Sequence, residues 1–306
     1  MVVVGTVLYI YQAMKKFEEI RIENTNRCPL HCKTCPRKKM SREKGRMSYA
    51  AFVDICGRIS EYISSPSVRY FDVHGYGEPL VDKEITRKIR FVKDNFPNVT
   101  IRMVSTLYVT TEIMLEELIQ SGLGEIVISH YGASEEDYRL IHGVHNYHRA
   151  RHNIEYLIRK NSELGYPLMV ILENLDFSNI LTSEQENARR QTLHSWQKKL
   201  KKYRVKIRNI APPHNWGSAY QYMDVSSSIC SVVSGFRSRV LQITWNGDVI
   251  PCCFDFNADV VFGNLFKEDL ESIFNSNTYK HFLLCHKENK LENFPTCRLC
   301  NRCLID

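Results

Sequence analysis

The stretch FEEIRIENTNRCPLHCKTC, residues 17–35, joins an extended segment to three closely spaced cysteines. Phe17 to Glu23 reads as a strand leading straight into Cys28-x3-Cys32-x2-Cys35. Three thiolates on one compact loop can hold three irons of a 4Fe–4S cluster and leave the fourth iron open to a small molecule. A structural zinc site would ordinarily want a fourth protein ligand.

Working outward from that loop, helix-like and strand-like segments alternate. Tyr49 to Ile63 reads as an amphipathic helix, Val68 to Val73 as a strand and Asp82 to Asn95 as a helix. Then come strand Thr100 to Ser105, helix Thr110 to Ser121, strand Glu125 to Ser129, helix Arg149 to Leu164, strand Leu168 to Glu173, helix Glu184 to Lys202 and strand Arg204 to Ile210. Such an alternation implies a parallel sheet with crossover helices, open or partly closed as a barrel, with ligands at the C-terminal strand ends.

The pattern breaks after Ala211-Pro212-Pro213. Val240 to Trp245, Asn246-Gly247 and Asp248 to Ile250 read as a hairpin, because both residues of Asn-Gly tolerate positive φ. One short helix follows, near Glu268 to Asn275. A boundary near Pro212 divides the chain into an N-terminal extension (1–16), a barrel (17–211) and a small C-terminal unit (212–306). Within the extension, Val2 to Ile10 is apolar but too short to span a bilayer, and it lacks the flanks of a signal peptide.

Hydrophobic residues make up 43% of the 306 and charged residues 25%, which suits a globular protein with a core that needs no staples. The formal charge of +7 suits anionic ligands or acidic partners without naming one. The basic runs Arg37 to Arg46 and Lys198 to Arg204 read as solvated faces; no aromatic-rich motif accompanies them, so no nucleic-acid partner is expected. Eleven cysteines, an odd number clustered at both ends of a long chain, argue against a disulfide framework and for metal binding in a reducing, cytoplasmic compartment. Cys56, inside an amphipathic helix, reads as core. His142, His145, His148 and His152 lack the carboxylate of an HExxH arrangement and read as surface or half-buried side chains.

Near the C-terminus, Cys230, Cys252, Cys297 and Cys300 make a four-thiolate set that zinc and iron–sulfur would fit about equally. Cys253, Cys285 and Cys303 stand in reserve.

The Cys28-x3-Cys32-x2-Cys35 triplet, set after the first strand, resembles the radical S-adenosylmethionine (SAM) superfamily. Cys230, Gly247-x4-Cys252, Val261-Phe262-Gly263-Asn264-Leu265 and Cys297-x2-Cys300 are similar to that superfamily's SPASM/Twitch regions, and the stop after Cys303 favours the shorter Twitch form. The resemblance implies an α/β fold, a partial (β/α)6 TIM-like barrel with a small C-terminal β-hairpin/helix iron–sulfur domain. It implies SAM, a SAM-binding 4Fe–4S cluster on Cys28, Cys32 and Cys35, and an auxiliary 4Fe–4S cluster on Cys230, Cys252, Cys297 and Cys300. Gly75-Tyr76-Gly77-Glu78 resembles the segment that binds the SAM amino group, so a side chain added at Gly77 is expected to intrude on the methionine end. Ser129, and after it Ser105, resemble the residue that holds the ribose; Arg149 or Arg151 is the cation offered to the carboxylate. Thr34 departs from the aromatic usual before the last cysteine.

The chemistry so implied is reductive cleavage of SAM by an external one-electron reductant such as flavodoxin or ferredoxin, then hydrogen abstraction from substrate. The layout is similar to the Twitch-bearing members that oxidise an aminocyclitol alcohol. The expected function is therefore an oxidoreductase dehydrogenating a small polar substrate, with His130 or His214 as general base and no membrane partner. A peptide-modifying maturase, a redox-neutral epimerase or lyase, and a zinc-stabilised binding protein are the alternatives.

Overall fold

A computed structural model describes residues 17–178, 180–210, 215–216, 219, 229–230, 233, 239–300 and 303–304. Six parallel strands form its centre: β1 (Glu19–Ile22), β2 (Tyr70–Asp72), β3 (Thr100–Ser105), β4 (Glu125–Ile128), β5 (Met169–Leu175) and β6 (Lys206–Ile210). The sheet continues past β1 through β8 (Val240–Ile243), β9 (Asp248–Ile250) and β10 (Gly263–Asn264). Its order is β10-β9-β8-β1-β2-β3-β4-β5-β6, and among the described residues its edge strands β10 and β6 do not pair, an open sheet compatible with a partial barrel. A separate two-stranded pair joins β7 (Ile229–Cys230) to β11 (Cys303–Leu304).

Strand periodicity sorts the two faces. Ile20, Ile22, Phe71, Val73, Ile101 and Met103 are buried in the main core together with Phe52, Ile55, Ile89, Val92, Leu115 and Leu118 of the crossover helices. The opposite face carries charge. Glu19 and Arg21 of β1 meet Asp72 of β2 and Arg102 of β3: Arg102 Nε donates to Asp72 at 2.7 Å, Arg21 Nη2 donates to it at 3.0 Å, and both guanidinium groups reach Glu19. The barrel interior is thus an ion network at its N-terminal end.

The strands fall where the sequence puts them, within a residue or two. The helices differ more. The expected helix from Tyr49 breaks at Ile59 into Tyr49–Arg58 and Ser60–Ile63. Three α-helices are additions among the described residues: Glu135–His142, whose Ser134 cap accepts from Asp137 N, Asn277–Lys287, capped by Ser276, and the single turn Pro295–Arg298. The hairpin forms with different turn chemistry. Only Gly247 has positive φ (+86°), and Gly247 N donates to Thr244 O at 3.0 Å, so Trp245 and Asn246 turn in the ordinary right-handed sense before a left-handed glycine. Pro212 and the 1–16 extension lie outside the described residues. The hairpin is parallel-paired to β1 through β8, so the C-terminal region extends the barrel's own sheet.

Candidate functional site

The loop after β1 is held from three sides. Asn24 Nδ2 donates to Val73 O (2.7 Å), Asn26 Nδ2 to Glu43 O (2.7 Å) and Glu78 N to Arg27 O (3.0 Å). Backbone N–H groups of His31 and Lys33 donate to His142 O and Ile141 O, the C-terminal end of the helix Glu135–His142. Cys28, Cys32 and Cys35 are all half-buried on this loop. Burial, with Glu78 adding to it, pushes the Cys28 thiol up to about 12. Burial pushes Cys32 well up too, and after it Cys35 and Cys28, which crowd it; burial also raises Cys35. Three thiols that resist ionising side by side are suited to a cationic metal group, which reverses that preference.

Beside the thiols, Glu78 is buried and saturated. Its carboxylate accepts from Ser105 Oγ (2.6 Å), Thr106 Oγ1 (2.7 Å) and Thr106 N (2.9 Å). Ser105 is therefore occupied in holding Glu78. The glycines before it are close-approach positions: a Cβ at Gly77 would lie 2.4 Å from Thr25 O and 2.6 Å from Arg27 O, and one at Gly75 would strike the Glu23 side chain. This corrects the expectation that a side chain at Gly77 would project into ligand space. It would push apart the loop that carries Cys28.

Ser129 directly follows β4, its N–H donating to Ser105 O at 3.0 Å, and its side chain lies close to the Tyr131 phenol. Tyr131 Oη donates to Glu173 Oε1 at 2.8 Å, and Arg208 Nη2 donates to Glu173 Oε2 at 2.5 Å. Strand register puts Ser129, Glu173 and Arg208 on the same face as the interior ion network, toward its C-terminal end. Tyr131 also stacks on His142 at 5.5 Å and 6°, and His142 Nδ1 lies 3.4 Å from Cys32 Sγ. Tyr131, Glu173, Arg208 and His142 were not among the expected site residues. His142 is fully buried, where the histidine run read as surface or half-buried, and burial pushes it down to about 3.

Three expected roles do not suit the positions found. His130 is 3% exposed in an aromatic box of Tyr138, Tyr147 and Trp196. Neither of its ring nitrogens has a hydrogen-bond partner among the described residues, and burial pushes it down to about 3, so where it sits it is a weak proton acceptor. Arg149 is exposed and donates to Thr110 O; Arg151 is engaged by Glu155 and the Tyr147 hydroxyl on its own helix. His214 lies outside the described residues.

Cys230, Cys252, Cys297 and Cys300 line one cavity. Burial pushes Cys252 well up, followed by the proximity of Cys253, Cys230 and Cys297; burial, then Cys230, does the same to Cys297. Among the described residues no three His, Cys, Asp or Glu side chains converge tightly enough for a single ion. The loop over the cavity is closed by Asp255, whose carboxylate accepts from Asp259 N and Val260 N. Of the reserves, Cys285 is packed in the core beside His281, Cys253 is half-buried within electrostatic range of Arg21, and Cys303 backbone-pairs with Cys230.

The two thiol sets are structurally joined. Tyr76 Oη donates to Cys252 O at 3.4 Å. Trp216 Nε1 donates to Thr34 O at 2.7 Å while its ring packs on Tyr76 and Phe254. Arg42, expected on a solvated face, donates to Phe256 O and to both oxygens of the buried Glu23.

The family model described as Radical SAM superfamily matches residues 22–182, more than half of the chain, and the SPASM model, an iron–sulfur cluster-binding domain, matches residues 235–304. A SAM-dependent 2-deoxy-scyllo-inosamine dehydrogenase from Niallia circulans is 20% identical over 288 residues, 94% of each chain. The solved structure of BtrN with AdoMet and 2-DOIA aligns with a TM-score of 0.61 at 18% identity, covering 93% of both chains. That of anSMEcpe with AdoMet and the Cp18Cys peptide aligns at 0.59 and 15% identity, covering 93% of this chain and 89% of that one.

Proposed function

This chain belongs to the radical SAM superfamily and is an iron–sulfur enzyme using SAM and an auxiliary cluster, and we propose that it carries out a two-electron dehydrogenation of a small polar substrate such as a carbohydrate or aminocyclitol. The observation that carries this reading is the second thiol set, Cys230, Cys252, Cys297 and Cys300 around one cavity, tied through Tyr76 to the segment beside the first. We assign Cys28, Cys32 and Cys35 to the SAM-binding cluster and these four to the auxiliary one. Residues 17–211 are taken as the barrel, 212–306 as the auxiliary region and 1–16 as an extension.

When bound, SAM and the clusters supply hydrogen abstraction and an electron acceptor. The protein must supply the rest. Oxidising a carbinol removes one hydrogen atom, one electron and one proton. We assign to Glu173 Oε1, already accepting from Tyr131 Oη, the uptake of that proton through the phenol, the role first sought at His130 or His214. Arg208 keeps Glu173 oriented, and Ser129 with Tyr131 offers hydroxyls to a polar substrate at the mouth. Glu78, held by Ser105 and Thr106, fixes the Gly75–Pro79 segment against the loop of Cys28. The dehydrogenase name of the Niallia relative supports the oxidative reading, with flavodoxin or ferredoxin as the type of external reductant.

The test is product mass under anaerobic turnover with SAM, a reductant and panels of aminocyclitols, sugars and peptides. Loss of two hydrogens with one 5′-deoxyadenosine per product supports dehydrogenation. A product of unchanged mass that gains deuterium from heavy water would replace it with epimerisation.

A further inference from the structure

We propose that His142 donates a hydrogen bond from Nδ1 to the Cys32 thiolate and thereby raises the reduction potential of the cluster on that loop. The proposal rests on the assignment of Cys28, Cys32 and Cys35 as its ligands. The tautomer follows from geometry. His142 Nε2 lies 3.2 Å from the backbone N of Tyr131, whose N–H can only donate. Nε2 is therefore the acceptor, and in a neutral ring the proton must sit on Nδ1. Nδ1 faces Cys32 Sγ at 3.4 Å, a normal N–H···S distance.

The ring is also held in place. His142 is fully buried, its plane parallel to the Tyr131 ring to within 6° and its ring 4.4 Å from that of Tyr138, tilted by 36°. Its own carbonyl accepts from His31 N at 2.9 Å, so the helix end that carries the donor also anchors the loop that carries the acceptor. Loop and donor cannot drift apart independently. A hydrogen bond to a cluster sulfur takes up part of its negative charge. The reduced cluster carries one more electron than the oxidised one, so the bond favours the reduced form. His142 acts through Cys32 and is a positioning residue.

The experiment compares wild type, His142→Leu and His142→Asn, each reconstituted with iron and sulfide, by EPR-monitored redox titration of the signal that changes on adding SAM. His142→Leu should keep its iron and its SAM-sensitive signal but titrate at a more negative potential. His142→Asn, whose amide nitrogen reaches the place of Nδ1, should recover most of the shift. Independently, reduced wild type labelled with 15N-histidine should show a 15N coupling on that signal in pulsed EPR. This second readout decides the matter if His142→Leu loads iron poorly. Equal potentials in a fully loaded Leu variant, or no 15N coupling in wild type, overturns the proposal. A wild type with no SAM-sensitive cluster signal overturns the ligand assignment along with it.

Discussion

Gly77 shows how one missing Cβ can position a metal loop. The atoms it would strike, the carbonyl oxygens of Thr25 and Arg27, belong to the backbone one residue and more before Cys28 and cannot swing aside as a side chain could. Gly77→Ala should lower stability by about 1–3 kcal/mol and reduce iron bound at the N-terminal loop, measured as iron per chain and melting temperature. Normal iron and an unchanged melting temperature would mean the loop gives way at no cost. His130 makes a different residue-scale argument. The unfolded chain protonates this group near the ordinary 6.5, the folded chain only near about 3. Its contribution is therefore full above 6.5 and falls as the pH drops toward 3, by about 1.4 kcal/mol per pH unit. His130→Phe should make urea midpoints between about pH 7.5 and 5.5 fall less steeply than in wild type. Identical slopes would show that the histidine is not the acid-sensitive group.

Between elements, the ties are polar as well as apolar. Arg42, on the segment after the first cysteines, holds Glu23 at 2.8 and 2.6 Å, and the Glu23 side chain is fully buried. Removing Arg42 leaves that carboxylate unpaired, so Arg42→Ala should cost about 3–5 kcal/mol in denaturant unfolding, and adding Glu23→Gln should return part of it. A double variant no more stable than the single would place the cost elsewhere. This tie also explains why the sequence misled: a basic run reads as a solvated face, and nothing local says that Arg42 turns inward. The strands were legible because a two-residue period and short length mark them; the cysteines drew attention through the close spacing of Cys28-x3-Cys32-x2-Cys35 and Cys297-x2-Cys300, while the choice of iron–sulfur over zinc for the second set came from the resemblance. The helix Glu135–His142 was missed although Ser134-x-x-Asp137 is a fair cap. With it went His142, whose role depends on a contact 110 residues away in sequence. Tyr131 and Glu173 were missed for the same reason: sharing an interior face is a property of register between strands.

At the scale of the whole molecule, β1 is the hinge of the account. It pairs β2 on one side and β8 on the other, so the strand that delivers the first cysteines also carries the hairpin that delivers Cys252. No described helix is long and apolar enough to cross a membrane. The central claim is two iron–sulfur clusters, one on each thiol set, and iron and acid-labile sulfide analysis after anaerobic reconstitution tests it most directly. The account predicts about 8 iron and 8 sulfide per chain in wild type, and about half of each when Cys28, Cys32 and Cys35 are all changed to Ala. A wild-type protein that binds zinc and holds no labile sulfide would contradict it.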